Sequence, residues 1–308
     1  RERGQVGLKL DPEASPPFVL QFGGSDPALL AEAVNIARPW GYRELNLNCG
    51  CPSPKCGKGR EKDWFGALLM REPDRVRRCV QAMAHAAGPG IEISVKCRIG
   101  THDTLEDLER DGDEYRRLST FVDAVADGGV VRHFVVHARS GILAGLSATQ
   151  NRRKPPLHHD FVLRLAAERP ELRITINGGI GNHKEVQQHY DCGVDVMVGR
   201  WALRRPWELA SAATRERGRG RVLEAYLRHC EREILSGPQD SLMWLLQPLW
   251  NLFHGVAGNG TYKAMLKDLA EQPDDGSFER LRAGILAAVA SVPLEALSGD
   301  VAMLEPAS

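Results

Sequence analysis

Short apolar segments alternate with helical segments between residues 18 and 198, and this alternation constrains the fold more than any other feature. Strands that are joined through helices run parallel, because the chain crosses back before each new strand begins. The pattern therefore predicts an α/β fold built on a parallel sheet. Strands are predicted at 18–22, around Leu45 and Leu47, and at 91–98, 133–137, 173–177 and 195–198, with helices at 27–40, 73–87, 111–127, 159–169 and 184–190.

The strand pattern ends near Pro206, and helical periodicity follows it. Residues 221–292 predict three or four amphipathic helices. Charged residues alternate with glycine at 215–221, which favours a domain boundary there. We therefore predict two domains, 1–216 and 217–308. The expected core of the helical part consists of Trp244, Leu245, Leu249, Trp250, Phe253, Leu266 and Leu269.

The charge balance gives no reason to expect a general attraction of the chain to polyanions. Forty Lys and Arg residues match forty Asp and Glu residues, so nucleic acid would have to meet a local basic patch. Seven unevenly spaced cysteines do not fit a disulfide framework and are typical of a reducing compartment. No run of about eighteen apolar residues predicts a membrane span. The chain begins with Arg1 and shows no signal peptide, which we interpret as a fragment or a processed product.

Polar or glycine residues follow all six predicted strands. In a βα barrel, the carboxyl ends of the strands share one mouth, where active sites are found. Glycine-rich turns and a guanidinium after the last two strands are suited to a phosphate group. The residues at these strand ends are Gln21, Asn48, Cys51, Lys96, Arg98, His137, Arg139, Asn177, Gly178, Gly179, Gly199 and Arg200.

Two of these residues would form a cationic pair. Lys96 and His137 together suit an electron-rich cofactor whose reduced form carries negative charge. Each also has a structural explanation, because a Lys at a strand end can be a solvated rim charge. A His flanked by valines can equally be a core residue with satisfied hydrogen bonds.

Cys51 follows the second strand and lies between Gly50 and Pro52. A thiol positioned in this way can act as a nucleophile or as a proton donor. A cysteine after a strand can also be a small buried apolar residue. Zinc binding by Cys49, Cys51 and Cys56 is a weaker alternative, since the C-x-C-x4-C spacing lacks a fourth ligand and the usual C-x2-C pair.

Basic residues cluster in two predicted mouth loops. One loop carries Lys55, Lys58 and Arg60, and the other, a long loop at 138–158, carries Arg152 and Arg153 followed by Lys154. These side chains could neutralise RNA phosphates, or they could be ordinary solvated loop residues. An enzyme that acts on a base must also take that base out of its stack.

Several motifs in combination resemble the tRNA-dihydrouridine synthases over about residues 17–265. HAR at 137–139, GLS at 145–147 and NRRKPPL at 151–157 are similar to the A-type branch, which implies action at positions 20 and 20a of the D loop. The other motifs are QFGGSDP (21–27), ELNLNCGCPSPK (44–55), FGALLM (65–70), VKCRIG (95–100), INGGI (176–180), VMVGR (196–200) and LFHG (252–255).

The resemblance implies a TIM-type (β/α)8 barrel that lacks its first two strands in this chain, followed by a small C-terminal helical domain. It implies reduction of uridine in tRNA to 5,6-dihydrouridine by FMN and NADPH, with Cys51 as proton donor. We also expect a cytoplasmic location, or an organelle stroma or matrix if a transit peptide has been lost, and no stable protein partner. By similarity, FMN would be held by Gln21, Lys96, His137, Asn177, Gly178, Gly179, Gly199 and Arg200, and the base and tRNA by Asn48, Arg139, Arg152, Arg153 and Lys263.

Departures from the family pattern keep two alternatives open. About 60 residues of the usual barrel are absent, and six strands would leave two exposed edges. Residues 61–64 lengthen the loop after Cys51, and VAGNGTYK at 256–263 replaces the arginines expected there, so that Lys263 would serve alone. The chain could instead be a flavin-dependent reductase of a free pyrimidine or enone. It could also be a truncated, inactive form that binds tRNA without flavin.

Overall fold

A six-stranded parallel sheet forms the centre of the first part of the chain. The computed structural model describes residues 18–53, 56, 64–236, 242–272 and 277–297. The sheet order is β1-β2-β3-β5-β7-β8, and every neighbouring pair is parallel, which confirms the α/β prediction. The strands are β1 (Val19–Phe22), β2 (Glu44–Cys49), β3 (Glu92–Arg98), β4 (Thr101–His102), β5 (His133–His137), β6 (Gly141–Ile142), β7 (Arg173–Asn177) and β8 (Asp195–Met197).

Helices follow the strands and cover one face of the sheet with apolar side chains. The first helix is capped by Asp26, whose Oδ1 accepts hydrogen bonds from the backbone N–H groups of Ala28 and Leu29 at 2.8 and 3.1 Å. Val34 on this helix and Leu47 on β2 are fully buried in the same core. The helices of this part are α1 (Pro27–Ala37), α2 (Pro73–Ala87), α3 (Leu105–Arg110), α4 (Glu114–Ala126), α5 (His159–Glu168) and α6 (His183–Asp191).

Three predicted boundaries were wrong for local reasons. The helix predicted at 27–40 ends as α-helix at Ala37, and a 3₁₀ turn that contains Pro39 follows, since proline has no N–H to continue the α-helical pattern. The helix predicted at 111–127 is α4, which begins three residues later at Glu114, and the separate helix α3, which a capping box between Thr104 and Asp107 begins, was missed. The loop predicted at 138–158 contains β6, which pairs with β4.

The chain folds into two compact units, Arg1–Val198 and Gly199–Ser308. Helix α8 passes through 215–221, where the sequence favours a domain boundary, and Gly218 kinks it with a φ of 79°. The predicted division into functional domains at 216/217 stays a prediction. The second unit contains α7 (Arg200–Arg204), α8 (Ala212–Ser236), α9 (Met243–Leu246), α10 (Asn259–Glu271) and α11 (Phe278–Val289).

The second unit has its own apolar core, and most of the residues predicted for it are buried. Trp250 packs against this core in a half-buried position. Trp244 was predicted wrongly, since it is 69% exposed while its neighbour Leu245 is buried, as adjacent residues of a helical turn point to different sides. Among the described helices, none is both long enough and apolar enough to cross a membrane. Leu245, Leu249, Phe253, Leu266 and Leu269 are buried as predicted.

Candidate active site

One face of the six-stranded sheet lines an open cavity of about 680 Å³. Side chains alternate between the two faces of a strand, so every second residue of the sheet points to this cavity. The opposite face packs on the helices, and this side therefore holds the polar residues of the strands. Its lining includes Gln21, Asn46, Lys96, Thr175 and Met197.

A chain of hydrogen bonds crosses the cavity face from β1 to β7. Gln21 Nε2 donates to Asn46 Oδ1 at 2.8 Å, which fixes the side chain of the predicted cofactor ligand. Burial pushes the pKa of Glu44 upward, but hydrogen bonds from His133 and Ser94 outweigh it, and the net pKa is lowered. Glu44 therefore stays ionised within the sheet. The connected residues are Gln21, Asn46, Ser94, Glu44, His133 and Thr175.

Glu44, Glu92 and His133 place possible metal-ligand atoms within 4.8 Å of one another. His133 Nδ1 lies 3.1 Å from Glu44 Oε1, while Arg173 Nη1 lies 3.8 Å from Glu92 Oε2. The hydrogen bond between His133 and Glu44 and the ion pair between Arg173 and Glu92 therefore account for this cluster without a metal ion.

Lys96 is a half-buried cation near the carboxyl end of β3. Its Nζ donates to Asn177 Oδ1 at 3.2 Å, and Asn177 Nδ2 donates to the Met197 carbonyl at 2.8 Å. Burial lowers the pKa of Lys96 to about 8. The salt bridges found among the described residues include none to Lys96. A half-buried ammonium group held by an amide fits a bound group that is anionic or electron-rich.

Two glycines after β7 bring the main chain close to His137. Gly178 and Gly179 have φ values of 111° and 78°, which side chains rarely tolerate. A Cβ on Gly178 would lie 2.8 Å from His137 Cδ2, and one on Gly179 would lie 2.6 Å from Leu157 Cδ2. Successive backbone N–H groups in such a turn can form a concave site for an anion. The turn therefore fits a phosphate group.

His159 fixes this glycine turn and was missed by the sequence analysis. Its Nε2 lies 2.7 Å from the Gly178 carbonyl oxygen, to which it donates. The sequence offers only a histidine at the start of a predicted helix, which carries no distinctive signal.

Gly199 and Arg200 follow Val198, the residue after β8, and begin the second unit. Their assignment to a phosphate site therefore rests on their place in the chain.

Cys51 lies on a loop that backbone hydrogen bonds hold from two sides. Asn48 Oδ1 accepts from the N–H groups of Gly50 and Cys51 at 3.0 and 3.1 Å, and the Cys51 carbonyl accepts from Ala67 N at 2.8 Å. Gly66 has a φ of 81°, and a Cβ there would lie only 2.4 Å from the Cys51 carbonyl oxygen. This loop adjoins β3, since a Cβ on Gly50 would be 3.4 Å from the Lys96 carbonyl oxygen. Cys51 itself is partly exposed.

Cys56 lies beside Cys51, with its Sγ 3.3 Å from Cys51 Sγ. Burial, followed by the hydrogen bond and charge of Cys51, raises the pKa of Cys56 to about 12. Among the described residues, no group of three candidate metal ligands includes Cys49, Cys51 or Cys56. The geometry favours thiol chemistry between two sulfur atoms over the zinc alternative.

Arg98 connects the loop after β2 with two parts of the 138–158 segment at the carboxyl end of the sheet. It is 4% exposed, and its Nε donates to the Gly50 carbonyl at 2.8 Å. Its Nη1 donates to the carbonyl oxygens of Ser140 and Asn151 at 3.0 and 3.3 Å. Burial lowers the pKa of Arg98 to about 10. The sequence indicates a strand-end cation here but not its role as a support for the Cys51 loop.

The residues predicted to bind tRNA differ in their exposure and in their hydrogen-bond partners. The Arg139 guanidinium donates to the Pro155 carbonyl. Arg152 is exposed and donates to Thr149 Oγ1 at 3.1 Å, while Arg153 is also exposed. Three other predicted basic residues, Lys55, Lys58 and Arg60, lie outside the described residues, as do 61–63 of the lengthened loop. In the second unit, Lys263 Nζ donates to Asn251 Oδ1 at 2.7 Å.

Known proteins provide a comparison for this geometry. The dihydrouridine synthase family model matches residues 2–287. The tRNA-dihydrouridine(20/20a) synthase of Xanthomonas campestris pv. campestris is 40% identical over 265 residues, which cover 84% of this chain and 74% of that protein. The enzyme of the same name from Synechocystis sp. is 38% identical over 268 residues, covering 85% and 75%. Morphinone reductase matches with a TM-score of 0.39 and 13% identity over 59% of this chain and 47% of that chain, values too low to support an inference.

Proposed function

Because this chain belongs to the dihydrouridine synthase family, an enzyme family of oxidoreductases, we propose that it reduces uridines 20 and 20a of tRNA to 5,6-dihydrouridine. The proposal includes FMN as the bound cofactor and NADPH as the reductant. The observation that carries it is the arrangement around β3. A rigidly held, partly exposed thiol at Cys51 adjoins the strand that carries the half-buried cation Lys96.

The residues of the first unit fit a flavin phosphate and an electron-rich ring. Lys96 would contribute a half-buried positive charge, and the turn at Gly178 and Gly179, with its positive φ values, would present backbone N–H groups to a phosphate. FMN, when bound, would supply the hydride that reaches C6 of the uracil. The proposed cofactor ligands are Gln21, Lys96, His137, Asn177, Gly178, Gly179, Gly199 and Arg200.

Cys51 would complete the reduction as a general acid. Its thiol proton would pass to C5 of the uracil as the C5–C6 double bond becomes saturated, and the thiolate would be reprotonated from solvent. The Asn48 and Ala67 hydrogen bonds restrict the Cys51 backbone, so that the thiol is positioned before the substrate arrives. Asn48 Oδ1 is already used by the loop, so its Nδ2 group is the part that would donate to the base.

Binding of tRNA would depend on local positive charge, because the whole chain is neutral. Arg152 and Arg153 are exposed on the loop after β5, where they could neutralise phosphates. Arg139 and Lys263 would contribute from positions at which hydrogen bonds to Pro155 and Asn251 already hold them.

A cofactor titration followed by turnover tests the proposal. The full chain is titrated with FMN, and NADPH oxidation is then followed with tRNA that lacks dihydrouridine or with free uridine. We expect stoichiometric FMN binding and NADPH oxidation that depends on tRNA. Equal stimulation by free uridine would favour a reductase of free pyrimidines, and failure to bind FMN together with binding of tRNA would favour the inactive tRNA-binding form.

A further inference from the structure

The two neighbouring thiols, Cys51 and Cys56, have a geometry that general acid catalysis does not require. Their Sγ atoms are 3.3 Å apart, and both cysteines are free. Backbone hydrogen bonds hold Cys56 in place, since its N–H donates to the Ser53 carbonyl and its carbonyl accepts from Phe65 N, both at 2.9 Å. A bond between the sulfurs would require an approach of about 1.3 Å, since a disulfide is about 2.05 Å long.

A comparison with another cysteine pair shows why accessibility matters. Cys49 and Cys97 are register partners on β2 and β3, but both are fully buried in the core. An oxidant in solution cannot reach either thiol. Cys51 is partly exposed, so it can react first and then pass the bond to its neighbour Cys56.

We propose that Cys51 and Cys56 form a reversible disulfide that withdraws the proton donor from the active site. The consequence for activity rests on the proposed function, whereas bond formation itself does not. In the oxidised form Cys51 has no thiol proton to give to C5 of uracil. The rate of dihydrouridine formation would therefore depend on the ratio of thiols to disulfides in the surrounding solution.

The reaction balances with a small disulfide such as oxidised glutathione as the oxidant. The Cys51 thiolate attacks one glutathione sulfur, which breaks the glutathione disulfide, forms a mixed disulfide and releases one glutathione thiol. Cys56 then loses its proton to solvent and attacks the Cys51 sulfur, which forms the protein disulfide and releases the second glutathione. The two protein sulfurs are oxidised, and the glutathione disulfide is reduced to two thiols.

The charge state of Cys56 sets the order of these steps. Burial and the neighbouring Cys51 keep the pKa of Cys56 high, so Cys56 remains a thiol while Cys51 makes the first attack. Once Cys51 is in a mixed disulfide, it no longer presents a thiolate to Cys56. Two of the three causes that raise the pKa of Cys56 then disappear, which favours the second attack.

Peptide mapping of the oxidised protein tests the inference without relying on activity. The full chain with FMN is incubated with oxidised glutathione, and free thiols are blocked before digestion. We expect a cross-linked peptide that joins Cys51 to Cys56 and is lighter by two hydrogen atoms than its reduced counterpart, and reversal by dithiothreitol. Cys192→Ser, which removes an exposed thiol elsewhere, should leave the cross-link unchanged. Cys51 carrying only glutathione, or both thiols remaining free, would overturn the inference.

Activity measured on the same samples tests the consequence. Oxidised parent protein should fall to the rate of Cys51→Ala and recover on reduction. Cys56→Ser should form no internal bond and should carry glutathione on Cys51 instead. If the cross-link forms in a chain that makes no dihydrouridine even when it is fully reduced, the disulfide stands and the proposed function fails. If a fully active chain forms no cross-link, the disulfide alone fails.

Discussion

Cys51 is restrained at its N–H by Asn48 and at its carbonyl by Ala67, while its thiol remains partly exposed. A structural cysteine in a core needs neither restraint nor access to solvent. The surroundings of Cys51 therefore fit a reacting group better than a packing residue.

Replacement of this thiol should separate chemistry from cofactor binding. We expect Cys51→Ala to bind FMN like the parent and to form dihydrouridine about 10²- to 10⁴-fold more slowly, which is the usual contribution of a general acid. Mass spectrometry of digested tRNA measures the rate. Cys192→Ser, an exposed thiol, is the control and should react at the parental rate. Equal rates for Cys51→Ala and the parent would exclude the proton-donor role.

Lys96 should destabilise the protein when no cofactor is bound. Burial lowers its pKa from 10.5 to about 8, so the unfolded chain binds more protons than the folded chain between these values. Stability therefore rises with pH through this window, and the full cost of burying the charge is present below pH 8.

Removal of the Lys96 charge should consequently have opposite effects on the apoprotein and on cofactor binding. We expect Lys96→Met to stabilise the apoprotein at pH 7 by up to about 3 kcal/mol, with the gain shrinking as pH rises above 8. FMN affinity should fall about 10- to 100-fold, because a charged partner is removed. Urea unfolding at several pH values and FMN titration measure the two effects. Unchanged FMN affinity would contradict the assignment of Lys96.

At the scale of elements, the loop between β2 and α2 depends on the conformation of Gly66. We expect Gly66→Ala to lower the free energy of unfolding by about 1–3 kcal/mol and to reduce dihydrouridine formation, because a Cβ would collide with the Cys51 carbonyl. Gly88→Ala is a matched control, since its φ is 78° but nothing lies within 4 Å of the added Cβ. Gly88→Ala should lower the free energy of unfolding and leave dihydrouridine formation unchanged. Normal activity in Gly66→Ala would show that the loop does not position Cys51.

The sequence predicted helices and strands where the local spacing of apolar residues agrees with their burial in the structure. The strands of the sheet were predicted from apolar runs such as HFVVH, which becomes β5. The start of α3 was missed because the capping residue Thr104 lies in a charged segment with little apolar periodicity. The interior of the 138–158 loop could not be predicted, since β6 consists of only two residues and exists through its pairing with β4.

In the candidate site, too, residues with a local sequence pattern could be predicted and contacts between distant loops could not. The motifs identified strand-end residues, and the parallel sheet brings Lys96, His137 and Asn177 to one end of it. Hydrogen bonds such as those of Arg98 and His159 join loops that are far apart in the chain, and no local pattern encodes them. The proximity of Cys56 to Cys51 likewise depends on the folded loop.

At the scale of the whole molecule, forty basic and forty acidic residues leave no net charge to attract tRNA. We expect the double variant Arg152→Gln, Arg153→Gln to bind tRNA more weakly and to reduce the salt-dependence slope by about 0.7–0.9 for each phosphate that is no longer neutralised. Arg38→Gln, an exposed residue that precedes the amino end of β2, is the control. An unchanged slope in the double variant would place the phosphate-binding residues elsewhere.

The proposed activity depends on the six-stranded sheet, because the sheet carries the candidate site. Within the described residues, β1 and β8 are the two ends of the strand order, with no pairing between them. The polar face of the six-stranded sheet nevertheless carries the connected hydrogen-bond network and the half-buried Lys96. The site can therefore be tested in the chain as it stands.

The most direct test of the central claim is position-resolved mapping of dihydrouridine in tRNA after reaction with the FMN-loaded chain and NADPH. We predict dihydrouridine at positions 20 and 20a with the parent protein and almost none with Cys51→Ala. A parent protein that binds FMN and oxidises NADPH, yet leaves both uridines unmodified, would contradict the proposed function.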